Sequence, residues 1–402
     1  MEKTTFEVSV VHFLLMFGYK IFSLYYPLFL FSIGLSMMNI GGIYLLTYST
    51  IAISSLIINY YIHKFNPAKI AATGIFGYGV FALMMLVSQN LIVFYVAQII
   101  LGFSAAAWLV SLKLILMKSK TDNHGRSFGW FYSMPHYATV IAPLVGGAVI
   151  WKFGFNGVFL LSVVIQFSTA IYVYFKLGKK CWFHSPDRAV EPVAQKGSTG
   201  LSPLRSQHAN YKKVSNILKT DKTIFVIFLS IFSALILGGI YRAFFILFLQ
   251  DLSFSQEEII RFISIAAIAY LPISIVIIKI IEKFKDLKIA SGGIITEGLA
   301  TMVIGALAPL MNLIGIFFVM MVDSFGSLLV GSGKSSILTG KFKNYKEEAS
   351  TIDTIMTTLG PALGAFIGGI AISLIGFQFT FLLAGTVVFL TGIIFWFCKK
   401  II

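Results

Sequence analysis

Long apolar runs separated by short polar turns set the pattern of this chain. Twelve runs reach the ~20 residues that an α-helix needs to cross the hydrocarbon core of a bilayer: 8–33, 41–62, 70–88, 91–117, 128–151, 155–177, 223–249, 259–281, 288–310, 313–338, 350–374 and 377–398. Hydrocarbon offers backbone N–H and C=O groups no partner, so each run is predicted to be a helix that satisfies its own. The first run is too long for a signal-peptide core and lacks a cleavage site, which predicts a helix that is retained. One long polar stretch, 178–222, mixes Pro, Ser, Gly and basic residues without periodicity. It reads as a cytosolic linker between a six-helix bundle at 1–177 and another at 223–402, which makes an all-α membrane protein.

Composition agrees with lipid as the solvent. The 402 residues are 57% hydrophobic and 12% charged, with a mean hydropathy of +0.88, whereas soluble chains carry about a quarter charged residues. The formal net charge of +15 would suggest nucleic acid in a soluble protein. Here the basic residues sit in alternate gaps between spans, so lipid surfaces, not nucleic acid, are the expected partner. Lys64, Lys69, Lys118, Lys120, Arg126, Lys283, Lys285, Lys288, Lys341, Lys343 and Lys346 occupy the even gaps, while Lys152 and Arg261 are exceptions in otherwise empty odd gaps. The positive-inside rule then places both termini in the cytosol, in a multi-pass protein of the cell membrane.

Little in the chain resembles enzyme chemistry. Cys181 and Cys398 lie outside the runs and imply neither a disulfide framework nor a zinc site. The stretch "GSGKSS" (331–336) resembles the end of a nucleotide-binding loop, but Leu328 stands where that loop needs Gly. No cofactor, metal or catalytic group is expected.

Two internal echoes organise the chain further. "HKFNPAKIA" (63–71), between spans 2 and 3, parallels "EKFKDLKIA" (282–290), between spans 8 and 9. "VGGAVIWKFGFNGVFLL" (145–161) aligns without gaps with "IGGIAISLIGFQFTFLL" (367–383). One duplication explains both, and internal repeats are a known construction of secondary transporters. In span 5, Gly129, Ala138, Ala142, Pro143, Gly146 and Gly147 form a small-residue ladder, and span 11 carries Gly360 and Pro361 in "GPALG". Small residues let membrane helices approach closely.

With these repeats, the six-plus-six pattern, the span 2–3 turn and the span 5 ladder, the whole chain resembles the major facilitator superfamily. The resemblance implies two pseudo-symmetric six-helix bundles, a monomer, and alternating access to one site between the halves. It departs from the family in three places: the first turn lacks the family's glycines and acid, Ala138 and Ala142 stand for two glycines of the span 5 pattern, and Gln98 stands where the antiporters of the family often have Arg. The resemblance also implies a cytosolic latch built from the turns. His63 and Lys64 would face Asp353 at the start of span 11, and Glu282 and Lys283 would face Arg126 at the start of span 5. The alternative is solvated loop charge.

Four cations fall within spans 1, 4, 7 and 10, the helices that line the cavity in this family: Lys20, Lys113, Arg242 and Lys334. A cation at mid-bilayer costs roughly 2.5–3.5 kcal/mol on insertion scales, so it needs water, a partner or a ligand. Lys20 is too deep to reach the headgroups easily. Arg242 either lines the cavity or pairs near the interface with Asp251 or Glu258, and Lys113 and Lys334 are expected to snorkel. Lys20 and Arg242, on corresponding helices, suit an anion. Tyr19, Tyr48 and His136 are candidate contacts to the same substrate, with packing as the alternative. Asp323 and then Glu297 are candidate proton carriers, since a carboxyl buried in a span is suited to binding a proton. Asp323 could otherwise neutralise Arg242 or Lys334.

The sequence thus suggests a transporter of a small organic solute, leaning to an organic anion, with a proton or counter-ion as coupling partner. The alternatives are a proton-coupled multidrug efflux antiporter and a transport-inactive receptor or sensor on the same fold. For the latch, charge reversal at Glu282 or at Arg126 alone should lower transport and the double reversal should restore it; simple addition of the two losses in a flux assay would remove the pairing.

Overall fold

The computed structural model describes residues 3–61, 65–88, 90–118, 124–178, 222–283, 286–341 and 346–398. Almost all of them are helical. α1 (Lys3–Ser23) and α2 (Tyr26–Ser32) form one membrane pass. It is interrupted at Leu24 and Tyr25, because Pro27 at the start of α2 has no N–H to continue the ladder. α3 (Met37–Tyr61), α4 (Pro67–Val87) and α5 (Leu91–Lys118) are single passes, and α6 (His124–Tyr172) runs through two, ending in a π-helical turn at Val173–Leu177. The pattern then repeats: α7 (Lys222–Asp251), α8 (Gln256–Lys283), α9 (Asp286–Leu307) and α10 (Leu313–Lys341) are single passes, and α11 (Lys346–Cys398) runs through two.

Nine stretches of the described residues are long and apolar enough to cross a membrane, and two of them, Tyr137–Leu177 and Ile355–Phe397, have 41 and 43 residues, enough to cross twice. With α8 the fold accommodates the expected twelve passes. The surface is apolar outward, as lipid requires: Trp151 is 75% and Leu374 78% exposed. The expected linker falls at 179–221, outside the described residues.

The repeat is written into the backbone. Gly154 (φ 66°, ψ −172°) bends α6 and Gly376 (φ 78°, ψ 173°) bends α11. They hold the same place in the two echoing stretches, and this backbone region is open essentially only to glycine. Gly34 and Ser253, separated by the same interval as His63 and Glu282, both take positive φ. Each closes a helix in the same way: Leu35 N–H donates to Leu30 O and Phe254 N–H to Leu249 O, both at 3.2 Å. Ser36 and Ser255 then open the next helices, with Asn39 N–H donating to Ser36 Oγ and Glu258 N–H to Ser255 Oγ. The Glu258 carboxylate accepts in return from Ser255 N–H, completing a capping box.

Packing repeats as well. A β-carbon on Gly74 would lie 2.7 Å from Ser104 O and Trp108 N, and one on Gly293 would lie 2.8 Å from Gly326 O and Val330 N. Within each half, α1 packs on α6 and α4 on α5, as α7 packs on α11 and α9 on α10. Between halves, α3 meets α11 and α6 meets α8. These contacts are tight at the end of the bundle away from the termini. There Gly41 lies against the Ala365 carbonyl and Gly369 against that of Met37. Tyr25, fully buried, donates to Pro143 O (2.9 Å) and touches Ser264 Oγ across the boundary (3.3 Å).

Adjacent glycines in α9 test this packing. Gly293→Ala should lower the melting temperature in detergent by at least about 4 °C. Gly292→Ala, where nothing lies within 4 Å of the added carbon, should leave it unchanged or raise it.

Candidate functional site

Below the closed end, α1 and α7 bring two cations together. Lys20 is half-buried near the middle of the first pass. Arg242 is exposed, although the run after it, from Ala243 to Leu249, is buried. The two charges act on each other across the boundary between the halves. Among the described residues Lys20 makes no ion pair or hydrogen bond. Arg242 also acts electrostatically on Tyr44 of α3 and on Glu297 of α9. Glu258, the partner considered for it from sequence, is engaged by both the N–H and the hydroxyl of Ser255.

A tyrosine wall from the first half includes Tyr44, on which Arg242 acts. Tyr19 meets Tyr78 edge-on at 5.3 Å, and Tyr44 stacks on Tyr48 at 6.4 Å. Tyr26, Thr47 and Gln98 join them around a recess of about 50 Å³. Behind the wall, Gln98 is fully buried and uses both ends of its amide. Its Nε2 donates to Tyr26 Oη, and its Oε1 accepts from Thr47 Oγ1, each at 2.7 Å. The position where the sequence lacked an antiporter-type Arg is therefore a neutral cross-link between α2, α3 and α5. Its role was hidden in the sequence, where only a polar residue inside an apolar run marked it.

The acids gather in the other half. Glu297 and Asp323 are 3% and 6% exposed, and each acts electrostatically on the other. Thr301 donates to Asp323 Oδ1 at 3.1 Å. The buried Tyr241 hydroxyl faces both carboxyls and has no hydrogen-bond partner among the described residues. Gly326 brings the pair together: a β-carbon there, one turn from Asp323, would sit 2.7 Å from Glu297 N, so only glycine lets α10 approach α9 this closely. Sequence reasoning placed Glu297 second to Asp323. It is buried beside Asp323 and within the field of Arg242.

Other residues predicted from sequence lie elsewhere. Lys334 does not snorkel. It is 5% exposed, its ammonium pairs with Asp353 at 2.7 Å and donates to Thr357 Oγ1 at 2.7 Å. The carboxylate and hydroxyl on the neighbouring α11 hold it inside the bundle, where they replace the headgroup water it would otherwise reach. Asp353, expected opposite His63, is thus engaged within its own half. His63 and Lys64 lie outside the described residues, as do the side chains of Arg126, His136, Glu282 and Lys283. Gly129 belongs to the same stretch. Gly146 lies against the Ile21 carbonyl, Gly147 against Ile260 and Ser264, Gly360 against Leu235, and Pro361 against Gly239.

Comparison with known proteins follows this geometry. No curated protein sequence matches the chain. Solved structures match it over nearly its full length. They include a mutant of the peptide transporter POT bound to sulfate (13% identity, TM-score 0.77, 100% of this chain and 95% of that one). A mutant of the nucleoside transporter NupG matches at 12% identity and a TM-score of 0.77, over 98% and 100%. A D-xylose-proton symporter matches at 14% and 0.74, over 97% of each chain. Likeness at this identity shows the fold. The family model described as Major Facilitator Superfamily matches residues 8–339, and the chain belongs to that superfamily of secondary transporters, a membrane transport protein and not an enzyme.

Proposed function

We propose that this protein carries a small organic anion by alternating access, with Lys20 and Arg242 as its binding cations and a proton moving through Asp323 and Glu297. The observation that carries the reading is Lys20. An ammonium deep in a span is costly, it has no acid partner among the described residues, and the nearest charge acting on it is a second cation. A ligand carboxylate or phosphate would relieve both, with Arg242 offering two parallel donors and Lys20 a point charge. The structural neighbours carry peptides, a nucleoside and xylose by name, so they share no one substrate chemistry, and the class rests on this chain's own residues.

The buried carboxyls support proton coupling. Two carboxyls sharing a low-dielectric site disfavour double ionisation, which makes such a pair a proton-binding device. The xylose symporter, named as proton-coupled, adds support by analogy of fold alone. With both termini in the cytosol, as the basic gaps suggest, the tightly packed end of the bundle faces outward. The neutral cross-link at Gln98 and the paired cations favour this reading over drug efflux.

Two variants test it. Lys20→Ala should weaken anion binding at least about tenfold, the value of one charge-assisted contact, measured as the anion-dependent rise in melting temperature. An unchanged response would dismiss Lys20 as a ligand. Asp323→Asn should abolish uptake driven by a proton gradient in proteoliposomes and keep substrate exchange; gradient-driven uptake at the wild-type rate would exclude Asp323 as the carrier.

A further inference from the structure

The tyrosine wall turns a particular edge toward the ligand. Tyr44 and Tyr48 stack on each other, and Tyr19 is edge-on to both Tyr78 and Phe22. Each ring thus has an aromatic packing partner. The hydroxyls are open: among the described residues those of Tyr19, Tyr44 and Tyr48 have no hydrogen-bond partner, and none of the three is sealed away from solvent. All three residues line the same recess. Tyr26, by contrast, is engaged by Gln98 and donates to Met85 Sδ at 3.4 Å.

Three open phenols, with Arg242 acting on that of Tyr44 and in turn on Lys20, describe a ligand. A hydroxyl both donates and accepts, so each open phenol is matched by water or by a hydroxyl of a ligand. The recess, about 50 Å³, holds about three waters or a similar number of ligand atoms. That is too small for a large lipophilic body; beside the apolar Phe22, Ile51, Phe81, Leu101 and Ala105, its hydroxyls are groups that a hydrocarbon would leave unsatisfied.

Resting on the anion reading above, we infer that the substrate is a hydroxylated organic anion, its acidic group on Lys20 and Arg242 and its hydroxyl-bearing end in the recess of Tyr19, Tyr44 and Tyr48. Tyr26, Thr47 and Gln98 then act as positioning residues that hold the wall. A substrate hydroxyl replaces the water on each open phenol, so discrimination against the deoxy analogue comes from the phenol left unpaired.

The test uses matched probes on the purified full-length protein: gluconate against hexanoate, glycerate against propionate, and glucose as the neutral control. Apparent affinities come from thermal-shift titrations. The hydroxylated anion of each pair should bind about five- to tenfold more tightly than its deoxy partner, and glucose should not compete. Tyr19→Phe, Tyr44→Phe and Tyr48→Phe keep the rings and remove the hydroxyls. Each should weaken the hydroxylated anion by about two- to tenfold and leave the deoxy anion unchanged, the worth of one hydrogen bond. Equal binding within each pair, still abolished by Lys20→Ala, would overturn the hydroxyl inference and leave the anion reading standing. Binding of glucose alone, or of no anion at all, would overturn both.

Discussion

A helix in lipid satisfies its own backbone and leaves its polar side chains to find partners inside the bundle. Most of this structure follows from that requirement. Hydroxyls on the spans fold back onto carbonyls four residues earlier, as Thr139 does onto Pro135 and Ser373 onto Gly369. Lys334 turns to Asp353 and Thr357, and Gln98 bridges Tyr26 and Thr47. Against that background, the Lys20 ammonium, with no ion pair or hydrogen bond among the described residues, and three open phenols stand out. In a soluble protein bulk water would make them unremarkable; here they are the groups on which the proposed substrate site rests.

Close helix approach makes such partnerships possible. With little hydrophobic drive between helices in lipid, packing depends on backbones that touch. Gly74 and Gly293 seat corresponding helices in each half, and Gly326 sets the distance between Glu297 and Asp323. Gly41 and Gly369 reach across the boundary between halves with the same chemistry. The contacts shown at that end are between small residues and backbone carbonyls, with one hydroxyl pair, Tyr25 and Ser264, and carry no charge. Such a contact separates without stranding charge, which suits an interface that must open and close during transport.

The two halves share a backbone but not a chemistry. Their turns, caps and bends coincide at Gly34 and Ser253, at Ser36 and Ser255, and at Gly154 and Gly376. Their polar groups diverge. The first half supplies tyrosines, Gln98 and Lys20, while the second supplies Arg242 and the acidic pair. In the proposed mechanism this is a division of labour: one half offers the substrate a donor-rich wall, and the other holds the groups suited to a proton. Arg242 stands where the two meet, within the field of Lys20 on one side and of Glu297 on the other.

Period and length were legible in the chain alone. Runs of about 20 apolar residues predict passes, basic gaps suggest orientation, and the two echoes indicate a duplication whose glycines prove to bend the backbone identically. Lys20 was legible too, because a charge inside an apolar run is conspicuous in one dimension. Glu297 was legible as a charge, but its place beside Asp323 was not. Neither the open hydroxyls of Tyr19, Tyr44 and Tyr48 nor the engaged one of Tyr26 could be told apart from sequence, since tyrosine packs and lines cavities equally well. Snorkelling and ion pairing of Lys334 were likewise indistinguishable. The physical reason is the same in each case: a residue's type and depth follow from its position along one helix, while its partner is set by which neighbouring helix the small residues allow to come close.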